Sequence, residues 1–234
     1  ALAVTDRPFD YDSLMVYTGL AFRLRYVRQK DGRGWCTVGP IGQFEEEVEA
    51  LCRATGYDQP WTAEMADKKQ RTIAAIDAGN CPIGYIKGDS GVIYGYEDDG
   101  DTVLVRCYDL GEGFHRLPFE EVATRPSGDG YGPFFLHPVG NPISPRGALV
   151  QGLRMGVNNW RRGRMPGEEW QPWREKGKWE YCFGDSAYGK WIEDLKGADA
   201  LTEEERVVLR RCYAFTAYTL YDARLAAGRF LAAH

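Results

Sequence analysis

GDSGVIYGYEDDGDTVLVRCYD, residues 88 to 109, decides how the chain reads. Two runs rich in Val, Ile, Leu and Tyr, 91–98 and 102–108, flank the pair Asp99-Gly100. That pair favours the left-handed backbone of a two-residue turn, so a β-hairpin is expected. Closing it there sets Tyr96 opposite Val103, Tyr94 opposite Val105 and Val92 opposite Cys107, an apolar face for a core. Ile93, Gly95, Leu104 and Arg106 then occupy the other face. Gly95 has no side chain to pack, which marks a point where another group approaches the backbone. The preceding segment, CPIGYIKG (81–88), reads as a further strand.

Helical patterns lie on both sides of this group. Before it, Phe44, Val48, Leu51 and Cys52 share one face of a helix from about 44 to 55, with Gly56 as its stop. A second helix is expected over about 62–78, capped by Thr62 and closed by Gly79. Near the start, Phe22, Leu24 and Tyr26 alternate with Arg23 and Arg25, the period of a half-buried strand. After the strands, Ser144 caps a helix with Pro145 in its first turn. Leu149, Leu153, Val157 and Trp160 form its apolar stripe, and Gly152 and Gly156 leave room for another helix. A helix over 186–196 presents Tyr188, Trp191, Ile192 and Leu195. The last helix opens on the capping box TEEE (202–205) and runs to about Ala232. Its apolar residues are spread widely, as for a helix buried on more than one side. Strands joined by tight turns between groups of helices imply an α+β fold with an antiparallel sheet.

The 234 residues suffice for one substantial core or two small ones. A net charge of −5 supplies no basic footprint for a phosphate backbone, so no nucleic-acid partner is expected. NNWRRGRM (158–165) is a short basic run that reads as a solvated loop. No run approaches the roughly 18 apolar residues of a membrane span, so no membrane partner is expected either. The opening ALAVTDRPFDYD has neither a signal peptide nor an initiator Met, which reads as a removed leader or a start inside a longer chain. The six cysteines form no CxxC pair, and with three histidines no zinc spacing arises. They are expected as reduced thiols in a cytoplasmic protein, without a cofactor.

YDSLMVYTGLAFRLRY (11–26), WCTVGPIGQFEEEVEALCRATGY (35–57) and CPIGYIKG with its hairpin together resemble the papain-like cysteine-peptidase relatives. That group includes the bacteriocin-leader (double-glycine) peptidases and the butirosin biosynthesis protein H type of N-terminal domain. The likeness spans roughly residues 8 to 160. It implies a papain-like core over 1–160, a Trp-rich insertion or lid over 161–183, and appended C-terminal helices over 184–234. It also implies a thiol at a helix start, a His on a central strand, and an Asp or Asn on the next. The His polarises the thiol, and the carboxylate orients the His. In the family that His stands a few residues before a Gly-Tyr, here Gly95-Tyr96. This chain has Asp89, Ser90 and Gly91 there, and none accepts a proton near neutral pH as imidazole does. Asp109 fits the orienting carboxylate, and the family's nucleophile falls before Ala1.

Among the cysteines present, Cys36 alone sits in a polar, Gly-flanked loop, and it is the candidate thiol. Trp35, Asp89 and Gly95 are the candidate ligand contacts. His115 and His137 read as structural or surface residues. Glu97, Asp98, Asp99 and Asp101 crowd one turn but do not match a calcium loop, so no metal is expected. Trp170, Trp173 and Trp179 read as aromatics that pin a long loop to the core. The leading expectation is a degenerate cysteine-peptidase-like module that binds a peptide, an acyl carrier or a small molecule in peptide or secondary-metabolite processing. The alternative is a thiol acyltransferase or amidase working through a thioester, with its nucleophile upstream of Ala1 or at Cys36. A third reading is an oligomerisation protein built on the Trp-rich stretch and terminal helices.

Overall fold

The computed structural model describes residues 9–36, 45–58, 65–86, 89–123, 135, 137–166 and 178–234. In chain order the elements are α1 (Tyr11–Tyr17), β1 (Arg25–Gln29), α2 (Glu45–Thr55), β2 (Tyr57–Asp58), α3 (Met65–Asp77), β3 (Ile83–Ile86), β4 (Asp89–Glu97) and β5 (Thr102–Arg106). Then come β6 (His115–Pro118), α4 (Phe119–Ala123), β7 (His137–Pro138), α5 (Pro145–Arg162), β8 (Arg164–Pro166), β9 (Trp179–Phe183), α6 (Gly184–Lys196) and α7 (Glu203–Ala233). The fold is α+β, and every strand pairing among the described residues is antiparallel. Two compact units form, one from residues 1–10 and 55–141, the other from 11–54 and 142–234.

The first unit is built on the hairpin. Asp99 and Gly100 both take positive φ, and Asp101 N–H donates to the Asp98 carbonyl at 3.0 Å, which closes the expected turn. Gly100 is required twice over, by its φ of 87° and because a Cβ there would lie 2.7 Å from Ile73 Cδ1 on α3. Tyr96 pairs with Val103 as expected, but Ile93, not Tyr94, stands opposite Val105. A bulge at Tyr94 shifts the register, so Ile93 and Tyr96 reach the same face although three positions apart. The core therefore holds Ile93, Val103, Val105 and Cys107 with Ile86, Phe119 and Val122. Val92 and Tyr94, expected in it, are only half-buried. The sheet order is β3-β4-β5-β6, and β2 and β7 form a separate pair.

The second unit holds the three-stranded sheet β1-β9-β8 and most of the helical mass. Here the alternation of the sequence misleads. Arg23, Arg25 and Arg28 are buried along with Leu24, Tyr26 and Val27. Arg23 escapes the cost of an isolated buried charge by pairing with Glu47 on α2 through contacts of 2.8 and 2.9 Å. In α5 the cap forms as expected, with Gly147 N–H donating to Ser144 Oγ at 3.1 Å. The buried face, however, is Ala148, Gly152, Gly156 and Asn159. A Cβ on Gly152 would lie 1.8 Å from the Val16 carbonyl oxygen, so this glycine admits α1, while Gly156 makes room for Phe22 just beyond it. The expected stripe of Leu153, Val157 and Trp160 is instead exposed, because close approach selects the small-residue face.

In α6, Ala187 and Asp194 are buried while Ile192 and Leu195 are exposed. The α7 capping box forms, with Glu205 N–H donating to Thr202 Oγ1 and Thr202 N–H to Glu205. Only one side of α7 is buried, along Leu209, Cys212, Thr216, Ala223, Ala227 and Phe230. Of the Trp-rich stretch, residues 167–177 lie outside the described residues, as do Phe44 and Thr62. Trp179 lies on β9 and packs, half-buried, beside Val27, Tyr181 and Phe183.

Candidate functional site

The candidate residues fall into two groups, one per unit. Trp35 and Cys36 follow β1 in the second unit, where Arg28 bridges to Trp35 and Cys36 N–H donates to the Val27 carbonyl at 3.0 Å. Both residues are buried, in contrast to the polar loop expected from the sequence, and Cys36 is 3% exposed. The cause is an acid far along the chain. Asp194 of α6 accepts from Trp35 Nε1 at 2.7 Å, from the Tyr26 hydroxyl at 3.0 Å, and from Arg28. Arg28 also donates to Glu180 at 3.1 Å and lies 3.5 Å from Glu193. Four further side chains thus replace the hydration that the paired carboxylate and guanidinium give up.

Electrostatics follow this geometry. Burial lifts the Asp194 carboxyl above the usual carboxylate range, against the donors gathered on it. Burial opposes the Arg28 charge, but Asp194 and the two glutamates outweigh it and hold the guanidinium above its ordinary value. The Tyr26 hydroxyl is raised by burial and then by the Asp194 charge. The Cys36 side chain lies with Val27, Tyr181 and Phe183, and its carbonyl accepts from the Cys212 thiol at 3.8 Å. Burial pushes that Cys212 thiol up to about 12. Arg25, a neighbouring charge, is lowered to about 9 by burial and then by Arg23, so it is a weakened support for a thiolate.

Asp89, Gly95 and Asp109 belong to the first unit. Asp89 begins β4 opposite Ile86, and its side chain lies outside the described residues. Gly95 stands opposite Leu104, and a Cβ there would lie 3.0 Å from Leu104 Cδ1, so a neighbouring side chain occupies the space the glycine leaves. Asp109 sits in the turn after β5, exposed, with no hydrogen-bond partner among the described residues. Gly91 itself has no room for a side chain. A Cβ there would lie 2.5 Å from Ile86 Cδ1 and 2.8 Å from the Arg106 carbonyl oxygen.

Two histidine side chains are described, and neither bonds a sulfur. His115 pairs with Val105 at the edge of the sheet, and its Nε2 is buried without a partner among the described residues. His234 stacks on Phe230 with ring centroids 4.4 Å apart. The His137 side chain lies outside the described residues. No group of His, Cys, Asp and Glu able to hold a metal occurs among the described residues. None of the described helices is long and apolar enough to cross a membrane.

The bulge creates a surface that the sequence did not reveal. Tyr94 packs on Phe114 with centroids 4.4 Å apart, and the Arg106 guanidinium lies 6.0 Å from the Phe114 ring. Phe114 and Tyr108 are both exposed, and Arg106 has no carboxylate partner among the described residues. The open Phe114 ring, backed by Tyr94 and beside the exposed Arg106 guanidinium, can take an apolar side chain and an anionic group together. Phe114 lies in FHRLP (114–118), a short mixed segment whose pattern does not mark the ring as exposed. Asp194 left a clearer trace, since it recurs with Ala187 and Trp191 at i, i+4 and i+7 on an otherwise apolar helix face.

The chain matches neither a known protein-family model nor a curated protein sequence.

Proposed function

We propose that this chain is a cysteine-peptidase-like domain without the standard catalytic constellation, acting as a binding or accessory module in peptide or secondary-metabolite processing. The observation that carries this reading is the burial of Cys36. Cys36 is buried beside Val27, Tyr181 and Phe183, and neither described imidazole bonds a thiol. A thiol nucleophile needs a base within hydrogen-bond reach, or a charge that stabilises its anion. Gly91 cannot carry such a base without displacing backbone.

Binding falls to the surface formed by Tyr94, Phe114 and Arg106, which suits a peptide bearing an aromatic residue next to a carboxylate. None of the six cysteines is in a disulfide, which favours a reducing, cytoplasmic location. Calorimetric titration with short acidic peptides that contain Phe or Tyr tests the assignment, with mass spectrometry of the recovered peptide. Saturable binding of uncleaved peptide is expected, weakened about tenfold or more when Phe114 and Arg106 are both changed to Ala. Recovery of cleaved or acylated products would replace the binding role with a catalytic one.

A further inference from the structure

The outward side of α7 carries a pattern that nothing within the second unit uses. Val207, Arg211, Ala214, Tyr218, Tyr221, Leu225, Gly228 and Ala232 follow one another at steps of four and three, the spacing of a coiled-coil seam, and every one of them is exposed. Tyr218 is 74% and Tyr221 67% exposed, and neither ring has a hydrogen-bond or ring partner among the described residues. Gly228 sharpens the case. A glycine inside a helix weakens it, yet a Cβ there would meet nothing within 4 Å. Its small size serves no contact inside this chain.

We propose that α7 is the interface of a symmetric dimer in which two copies of the helix pack antiparallel. The seam is self-complementary about a two-fold axis midway between Tyr218 and Tyr221. In that register Tyr218 meets Tyr221 of the second copy, Ala214 meets Leu225, Arg211 meets Gly228, and Val207 meets Ala232. Outside the central tyrosine layers, each larger side chain is matched with a small one, as interdigitating layers require. Arg211 passes over Gly228 toward the last turn of the facing helix, where carbonyl groups favour a cation. A parallel pairing would instead oppose Arg211 with itself and Gly228 with itself. The ionic groups flanking the seam near its centre have partners within each copy: Arg229 pairs with Asp12, Asp222 accepts from Tyr11, and Arg224 donates to the Ala21 carbonyl.

The seam spans about 25 residues, or roughly 38 Å of helix. It buries on the order of 1,000 Å² in total, near the lower bound for a specific interface, so an affinity around micromolar is expected. Sedimentation velocity of the full chain between about 1 and 100 µM reads the outcome directly. The unsubstituted chain should move from monomer to dimer across that range. Tyr218→Glu should remain monomeric with an unchanged far-ultraviolet circular dichroism spectrum. Gly228→Leu should also be monomeric, through collision with Arg211, while its thermal midpoint does not fall. The double variant Tyr218→Lys with Tyr221→Glu should regain a salt-sensitive dimer, because the antiparallel register places each new cation against a new anion. A chain that stays monomeric throughout, a dimer indifferent to Tyr218→Glu and Gly228→Leu, or a double variant that stays apart would each overturn the proposal.

Discussion

The Trp35–Cys36 segment and the bulged hairpin around Tyr94 divide between them what an active site would combine. The first has a thiol, but four donor and acceptor groups reached from β1, β9 and α6 fold it inward. The second has an open Phe114 ring beside the exposed Arg106 guanidinium, and a glycine, Gly91, whose place is too tight for any side chain. A cysteine in a polar-looking loop is therefore no guide to reactivity when a distant acid sets its burial. A hairpin can lose a side chain at one position and, through a bulge, gain a surface at the next.

The largest effect should come from the inward-folded segment. Asp194→Ala leaves Arg28 buried without its main counter-charge and orphans the Trp35 and Tyr26 donors. Urea denaturation should show a loss of about 3–5 kcal/mol. A loss below about 1 kcal/mol would mean that the cluster does not hold Cys36 in place. The hairpin has its own rigid point. Gly91→Ala must move Ile86 or the Arg106 backbone, at a cost of about 1–3 kcal/mol by the same measurement.

These two residues also separate what was legible in the chain from what was not. The turn at Asp99-Gly100, the helix caps at Ser144 and Thr202, and the α+β class are local signals, fixed by backbone preference within a few positions. The burial of Trp35 depends on an acid 159 positions away, and no window of sequence connects them. The bulge was equally hidden. Val92, Ile93 and Tyr94 are all acceptable strand residues, and the choice between registers is made by which of them packs against Phe119 and Val122. Alternation assumes one wet face and would turn Arg25 to solvent, whereas β1 is buried on both.

A smaller effect should appear with pH. The Cys212 thiol keeps its proton to about 12 in the folded chain, against an ordinary value of 9.0. Between those limits the unfolded chain holds fewer protons, so the contribution to stability is complete below about pH 9 and fades as pH rises through about 12. Thermal midpoints of the parent chain should therefore fall more steeply above pH 9 than those of Cys212→Ala. Equal slopes would place the thiol in contact with solvent. The smallest effect belongs to the open surface. Phe114→Ala should change stability by less than about 0.5 kcal/mol, because the ring is exposed, while still weakening peptide binding. A large loss of stability there would make Phe114 a packing residue.

Labelling of the native chain with a thiol-selective electrophile, followed by intact-mass and peptide mapping, tests the central claim most directly. The account predicts no fast adduct at Cys36 in the folded protein and rapid modification of that thiol once the chain is unfolded. A single fast adduct at Cys36 in the native state, absent from Cys36→Ala, would contradict it and return a nucleophile to this fold.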